Sequence, residues 1–222
     1  MATKHDPMPK KLSRIDDLTR PEHRYLLPSD ECFYWGEYHV GMGYDHGATN
    51  NLVLNLKKSP TLRGTTQYHY KERAIRQVGT AMRGPIGSSG AHFTVVPVPP
   101  SKIPGDPEYD DRMVQVAQLA VAETNSVARE LVRQTATYQP SHAGGGGHRI
   151  TPAELMEIYR IADNEAAPQG TVLVVDDVLT EGAHYRAMKD KILERFPGIQ
   201  VVGLMVARRV HRAAVADDFD AL

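Results

Sequence analysis

Two adjacent carboxylates directly follow a run of apolar residues in segment 171–184, TVLVVDDVLTEGAH. When both are ionised, Asp176 and Asp177 repel each other, so a fold tolerates them best where they meet water, hydroxyl groups or a cation. Residues 180–184 have the pattern of a short loop entering a helix. The backbone N–H groups at a helix N-terminus lack partners and favour an anion such as phosphate. The segment therefore predicts hydroxyl-binding carboxylates beside a phosphate-binding loop, a combination that suits a sugar phosphate.

The same segment has a second interpretation. Any strand, loop and helix of a doubly wound sheet can carry acids that bind a metal ion or cap the helix. The residues alone leave both interpretations open.

The elements around this segment must hold it in a sheet. Short apolar runs at 93–99, 171–175 and 199–206 are typical of buried parallel strands, and helices are predicted at about 111–133 and 183–196. Strands and helices that alternate in this way predict an α/β fold, with a parallel sheet flanked by helices and right-handed crossovers. In such a sheet ligands bind beyond the carboxyl ends of the strands.

Weaker patterns fill the rest of the chain. Two or three strands are predicted between Cys32 and Lys58, and a one-sided helix at 68–83 that the glycines and proline of 84–90 would end. Thr151, Pro152 and Glu154 together predict a helix start with a capping box. Residues 1–20 are predicted to form a flexible arm, and residues 21–222 a single domain.

Composition narrows the class of protein. The chain has 222 residues, 41% of them hydrophobic and 24% charged, and a formal net charge of −1, so it has no global basic footprint for nucleic acid. Cys32 stands alone, which excludes an internal disulfide and a multi-cysteine zinc site. No apolar run reaches the roughly 18 residues of a membrane span, and the polar N-terminal residues do not have the pattern of a signal peptide. A cytoplasmic location is the default expectation.

Segment 171–184 resembles the signature with which type I phosphoribosyltransferases bind phosphoribosyl pyrophosphate (PRPP). The resemblance implies that the acidic pair, Asp176 and Asp177, contacts the ribose hydroxyls. It also implies a loop that wraps the 5-phosphate and consists of Thr180, Glu181, Gly182, Ala183 and His184.

Two positions depart from the pattern of that family. Glu181 stands where a small or hydroxyl residue is usual, and it would repel a phosphate unless its side chain turned outward. His184 stands where Thr or Ser is usual, and it would compensate for Glu181 if it were protonated. These two departures bear on whether the protein catalyses the reaction, and they leave the prediction of the fold unchanged.

Residues 93–120 are similar to the ComF group of phosphoribosyltransferase-like proteins. A Val-Pro-Val-Pro strand end precedes Ser101 and Lys102, and Arg112 opens a helix that contains Gln and Leu-Ala. The resemblance implies that Ser101 and Lys102 lie in the pyrophosphate loop and that Arg112 reaches the same group. The alternative is that Lys102 and Arg112 are solvated surface charges. The cysteine cluster that often precedes this group is missing, because the chain has only Cys32.

The resemblance also implies a function. The expected reaction transfers a phosphoribosyl group to an unidentified acceptor and releases pyrophosphate, with Asp176, Asp177 and Arg112 as catalytic residues and Mg²⁺ held indirectly by the two aspartates. A small hood over the parallel sheet would come from about 25–70 and 134–165. Two alternatives remain: a non-catalytic PRPP or nucleotide sensor or partner-binding protein, and an effector that hydrolyses ribosyl bonds. A homodimer is also considered.

Overall fold

The strand that carries the two acids lies inside a six-stranded sheet in the computed structural model, which describes residues 11–138 and 149–210. The strands of this sheet are β1 (Ser13–Arg14), β2 (Cys32–His39), β3 (Phe93–Pro97), β4 (Val127–Ala128), β7 (Thr171–Leu179) and β8 (Val201–Val210). They lie in the order β1-β2-β8-β7-β3-β4. Only β1 is antiparallel to its neighbour among these described strands. The predicted α/β fold with a mostly parallel sheet flanked by helices is confirmed.

The helices cover both faces of the sheet. They are α1 (Ala48–Leu56), α2 (Thr66–Ser88), α3 (Arg112–Val121), α4 (Pro152–Ile158) and α5 (Ala183–Arg195). One hydrophobic cluster joins α1, α2 and α3 to Val95 and Val175, whereas the other joins α4 and α5 to Val96 and Val174. Successive strand residues point to opposite faces, so these neighbouring valines serve opposite layers. This explains why β3 and β7 read as continuous apolar runs.

A small antiparallel ribbon stands apart from the main sheet. It pairs β5 (Arg133–Gln134) with β6 (Tyr159–Arg160), which directly follows α4. Thr151 and Glu154 form the predicted capping box at the start of α4, confirming that helix start. Residues 139–148 of the predicted hood lie outside the described residues.

Three element predictions were wrong in their extent or type. The apolar residues near 52–56 belong to helix α1 instead of a strand, because Leu52, Val53 and Leu56 bury one helical face against α2. Helix α2 continues through Gly84 and Pro85 to Ser88, since Ile86 is buried in its last turn. Helix α3 ends at Val121, ten residues or so before the predicted end, and the chain then returns to the sheet as β4.

The described part of the predicted N-terminal arm touches the sheet. Ser13 and Arg14 pair with β2, and Ile15 is buried in the core. Residues 1–10 lie outside the described residues, as do 211–222 at the other end. No helix in the described ranges is long and apolar enough to cross a membrane.

Candidate functional site

The two predicted loops follow adjacent strands at the carboxyl edge of the sheet. β3 connects through α3 to β4, and β7 connects through α5 to β8, which lies on the opposite side of the β3–β7 pair. The chain therefore leaves these two adjacent strands in opposite directions, which makes them the topological switch point where ligands bind in open α/β sheets. Residues 98–102 follow β3, and residues 180–184 follow β7.

Asp177 is the charged centre of this edge. Its side chain is buried, and its Oδ2 accepts a hydrogen bond from Nε of Arg112 at 3.1 Å. Nζ of Lys57 lies 3.3 Å from Oδ1 of the same carboxylate. Burial opposes ionisation of Asp177, but the charges of Lys57 and Arg112 outweigh it and hold its pKa well below the usual range. Asp177 is therefore ionised at neutral pH.

Asp176 differs sharply from its neighbour. Burial, together with the negative charge of Asp177, raises the pKa of Asp176 to about 7. Its Oδ1 accepts a hydrogen bond from the backbone N–H of Asp177 at 2.7 Å. The pair thus combines Asp177, which stays ionised, with Asp176, which gains or loses its proton near neutral pH.

A second carboxylate ties the cationic residues together. Oδ2 of Asp110 accepts hydrogen bonds from Arg112 and, at 2.7 Å, from Nζ of Lys71. Lys71 is fully buried, and its ammonium also donates to the carbonyl oxygens of Leu56 and Lys58 at 2.7 and 2.8 Å. Burial lowers the pKa of Lys71 to about 8. Because these carbonyls flank Lys57, the network fixes the end of α1 and holds Lys57 towards Asp177.

The loop after β7 has the backbone of a helix entry. Gly182 caps α5 with a φ of +86°, a left-handed conformation that favours glycine, and no side chain of the described residues caps this helix. The N–H of Tyr25 donates to the carbonyl of Glu181 at 3.0 Å, and His23 Nδ1 donates to the carbonyl of Thr180. The segment around residues 23–26 therefore fixes the backbone carbonyls of Thr180 and Glu181 in the loop.

Glu181 is neutralised by arginines. Its carboxylate forms ion pairs with Arg149, with Arg24 at 2.7 Å and with Arg209 at 3.6 Å. Burial opposes ionisation, but Arg149 and the other arginines lower the pKa of Glu181. The repulsion expected between Glu181 and a phosphate is thus offset by these guanidinium groups.

His184 is held between two tyrosines. The hydroxyl of Tyr138 lies 3.1 Å from Nε2, and the hydroxyl of Tyr159 lies 2.9 Å from Nδ1. Burial lowers the pKa of His184 to about 4, so the ring is neutral at pH 7. The idea that a protonated His184 compensates for Glu181 is therefore wrong, and the arginines fill that role instead.

The loop after β3 is joined to α5 through Tyr138. The backbone N–H of Tyr138 donates to the carbonyl of Ser101 at 3.1 Å, while its hydroxyl reaches His184. Lys102 pairs with Glu108 at 3.6 Å. Within the described residues, no hydrogen bond or ion pair joins Ser101 or Lys102 to Arg112. The geometry thus brings Arg112 to the aspartates, and it connects the β3 loop to α5 through Tyr138 instead.

Sequence reasoning missed several residues of this site. Lys57, Lys71 and Asp110 enter it from α1, α2 and the loop before α3, and Tyr138 enters from the segment after β5. The only local signal is a lysine in the middle of the apolar face of α2, at Lys71. A lysine there must find buried acceptors, which indicates a polar network without identifying its members.

The donor set fits a magnesium ion only when a ligand accompanies it. No group of three or more His, Cys, Asp or Glu residues in the described ranges could hold a metal by itself. Mg²⁺ commonly keeps several waters and binds through one or two carboxylates together with substrate phosphates. Asp176 and Asp177 suit that arrangement.

Comparison with protein-family models and with curated proteins finds no match to this chain. The likeness to phosphoribosyltransferases therefore depends on the motif residues and on their placement in the sheet.

Proposed function

We propose that the protein binds PRPP and transfers its phosphoribosyl group to an acceptor with release of pyrophosphate. One observation carries the proposal. The paired carboxylates Asp176 and Asp177 lie at the switch point of a mostly parallel sheet, and they are followed by the N-terminus of α5, which no side chain of the described residues caps. Hydroxyl acceptors and a phosphate-binding helix end are what a ribose 5-phosphate requires.

The two carboxyl groups have different parts in the proposal. Asp177 stays ionised between Lys57 and Arg112 and accepts a hydrogen bond from one ribose hydroxyl. Asp176, whose pKa is about 7, accepts from the other hydroxyl in its ionised form. A bound ribose would thereby give each carboxyl group a hydroxyl donor, which offsets the repulsion between the two groups when both are ionised.

The phosphate binds at the start of α5. Gly182 lets the backbone turn so that the N–H groups of the first helical turn face the ligand, and the helix dipole favours its negative charge. Glu181 does not oppose this binding, because its charge is matched by Arg24, Arg149 and Arg209. Because His184 is neutral, it adds no charge to the phosphate site and instead helps to position the loop through its two tyrosine partners.

The leaving pyrophosphate lies against the loop after β3. Lys102, which is paired only with the exposed Glu108 within the described residues, can turn to the pyrophosphate and stabilise its developing charge. Mg²⁺ bound with PRPP would neutralise further charge on that group. Arg112 holds Asp177 in place, so we assign it a positioning part.

Isothermal titration calorimetry with PRPP and Mg²⁺ tests the proposal. We expect wild-type protein to bind, and Asp176→Asn with Asp177→Asn to lose binding. Because loss of Asp177 also leaves Arg112 and Lys57 without their partner, Asp176→Asn alone is the second variant, and circular dichroism checks that each is folded. Asp163→Asn, on the loop after β6, is the matched control. Unchanged affinity in a folded Asp176→Asn, Asp177→Asn protein would contradict the proposal.

Activity is tested separately. The protein is incubated with PRPP, Mg²⁺ and a metabolite extract, and pyrophosphate is followed by mass spectrometry. Release that depends on the extract supports transfer, and release without an acceptor indicates hydrolysis. Binding without release indicates a sensor, an alternative favoured by the way Tyr138 and Tyr159 fix His184.

A further inference from the structure

Exposed aromatic rings and cations alternate on the surface that joins α1 to α2. Nζ of Lys58 lies 5.0 Å from the ring centre of Tyr44 and 5.9 Å from that of Tyr70. The guanidinium of Arg73 lies 5.8 Å from the ring centre of Tyr70. We call Tyr44, Lys58, Tyr70 and Arg73 the aromatic–cation ladder.

The two tyrosines of the ladder are exposed. Tyr44 is 43% exposed and Tyr70 is 46% exposed, and both are among the large hydrophobic side chains that the described residues leave at the surface. The hydroxyl of Tyr44 accepts a hydrogen bond from Lys58 at 3.2 Å, which orients the ring. Each ring can therefore stack on a ligand while it keeps its contact with the neighbouring Lys or Arg side chain.

The charge around the ladder differs from that of the whole chain. Although the formal net charge is −1, segment 57–76 contains six Lys and Arg residues and a single acid, Glu72. Glu72 is paired with His69 at 3.1 Å, and Lys71 is buried against Asp110. Lys57 is paired with Asp177 and Arg63 with Asp111. The local positive charge of this face therefore comes from Lys58, Arg73 and Arg76, and the overall balance of the chain hides it.

We propose that the aromatic–cation ladder binds single-stranded nucleic acid. Proteins that bind single strands without sequence preference combine a basic track for the backbone with aromatic rings on which bases stack. An acidic peptide would meet the cations but has no flat bases for Tyr44 and Tyr70. Paired bases in a duplex are stacked on one another and cannot reach the rings. The combination of open rings and cations therefore favours a single strand.

The ladder lies next to the candidate site. Lys57, the residue before Lys58, contacts Asp177 at 3.3 Å, and the carbonyl of Lys58 accepts a hydrogen bond from Lys71 of the site network. A strand bound to the ladder would therefore pass beside the carboxyl edge of the sheet. The proposal itself does not depend on PRPP binding.

Fluorescence anisotropy with a labelled 12-nucleotide oligothymidylate tests the proposal. We expect the full chain to bind it, and Tyr44→Ala with Tyr70→Ala to raise Kd about tenfold or more, because each stacked base is lost. Tyr44→Phe with Tyr70→Phe keeps the rings and should bind nearly as wild type. Lys58→Ala with Arg73→Ala should weaken binding and reduce the slope of log K against log salt by about 1.4, because two cations leave the surface.

The matched control removes two cations on the opposite face of the sheet, with Lys191→Ala and Arg195→Ala on α5. We expect it to leave Kd unchanged. Circular dichroism verifies the fold of every variant. The proposal is overturned if the wild type does not bind, if the alanine ring variants bind as tightly as wild type, or if the control loses as much affinity as the ladder variants. Equal affinity for a 12-base-pair duplex or for polyglutamate would also overturn it.

Discussion

Nε of Arg112 lies 3.1 Å from Oδ2 of Asp177, although 65 residues separate them along the chain. The contact joins the first residue of α3 to the seventh residue of β7. It converts a carboxylate that burial would disfavour into a permanently charged group beside Asp176.

Replacing Arg112 is expected to destabilise the protein. Arg112→Ala leaves Asp177 and Asp110 short of a partner in a mostly buried setting, and breaking such a network costs about 3 kcal/mol. The free energy of unfolding in urea measures the effect. Arg14→Ala, which removes an exposed pair with Glu31, should cost less than about 0.5 kcal/mol. Similar losses in both variants would show that Arg112 is an ordinary surface charge.

The carboxyl pair predicts a pH dependence of stability. The pKa of Asp176 in the folded protein is about 7, above its ordinary 3.8, so the fold favours its protonated form. Its contribution is therefore fully present below about pH 4 and is lost as the pH rises towards 7. Unfolding free energies of wild type and Asp176→Asn, measured between pH 4 and 8, isolate this effect. We expect the wild-type value to fall relative to the variant by roughly 1 kcal/mol per pH unit in that window; a constant difference contradicts the assignment.

Gly182 should resist substitution for two separable reasons. Gly182→Ala places a side chain at a φ of +86° and its Cβ 3.1 Å from Cδ2 of Leu26. Gly198 has nearly the same φ, +83°, but nothing within 4 Å of the added Cβ. Gly198→Ala therefore measures the backbone strain alone, about 1 kcal/mol. Thermal or urea unfolding should show a larger loss of stability for Gly182→Ala than for Gly198→Ala. Equal losses would mean that Leu26 moves aside from the added Cβ at no cost in stability.

The two tyrosines around His184 should act differently. Tyr159 is fully buried, so Tyr159→Phe leaves Nδ1 of His184 without its partner and costs about 1–2 kcal/mol of stability. Tyr138→Phe removes the link to Nε2 but keeps the backbone N–H that donates to the carbonyl of Ser101. Because the hydroxyl is what ties this segment and the β3 loop to α5, we expect weaker PRPP binding as well. Calorimetry and urea unfolding separate the two effects. Tyr70→Phe on α2 is the control and should leave both quantities unchanged.

Removing the charge of Glu181 should strengthen anion binding. Glu181→Gln removes a negative charge that lies beside the proposed phosphate loop and that pairs with arginines, so affinity for ribose 5-phosphate should rise severalfold, by an amount that added salt reduces. Calorimetry at two ionic strengths measures this. Glu194→Gln removes an exposed pair with Lys191 on α5 and should have no effect. A fall in affinity would mean that Glu181 itself orders the loop.

The sequence predicts the sheet better than it predicts the site. Segments 93–97 and 171–175 are buried on both faces, so their apolar runs identify strands without any tertiary information. The partners of Asp177 have no such signal, because Lys57 and Arg112 become neighbours only when α1 and α3 pack on the same face. Helix α1 was mistaken for a strand for a related reason: its apolar residues are too few to separate the two periodicities.

Asp110 does more than balance the local charge. One of its carboxylate oxygens accepts hydrogen bonds from Lys71 of α2 and from Arg112 of α3, and the same lysine donates to the carbonyl of Leu56, the last residue of α1. Asp110 thus connects three helices. A ligand at the acidic pair that displaces Arg112 from Asp110 must also disturb α1 and α2, so binding there would change the face that carries Tyr44 and Tyr70 without any hinge between the two.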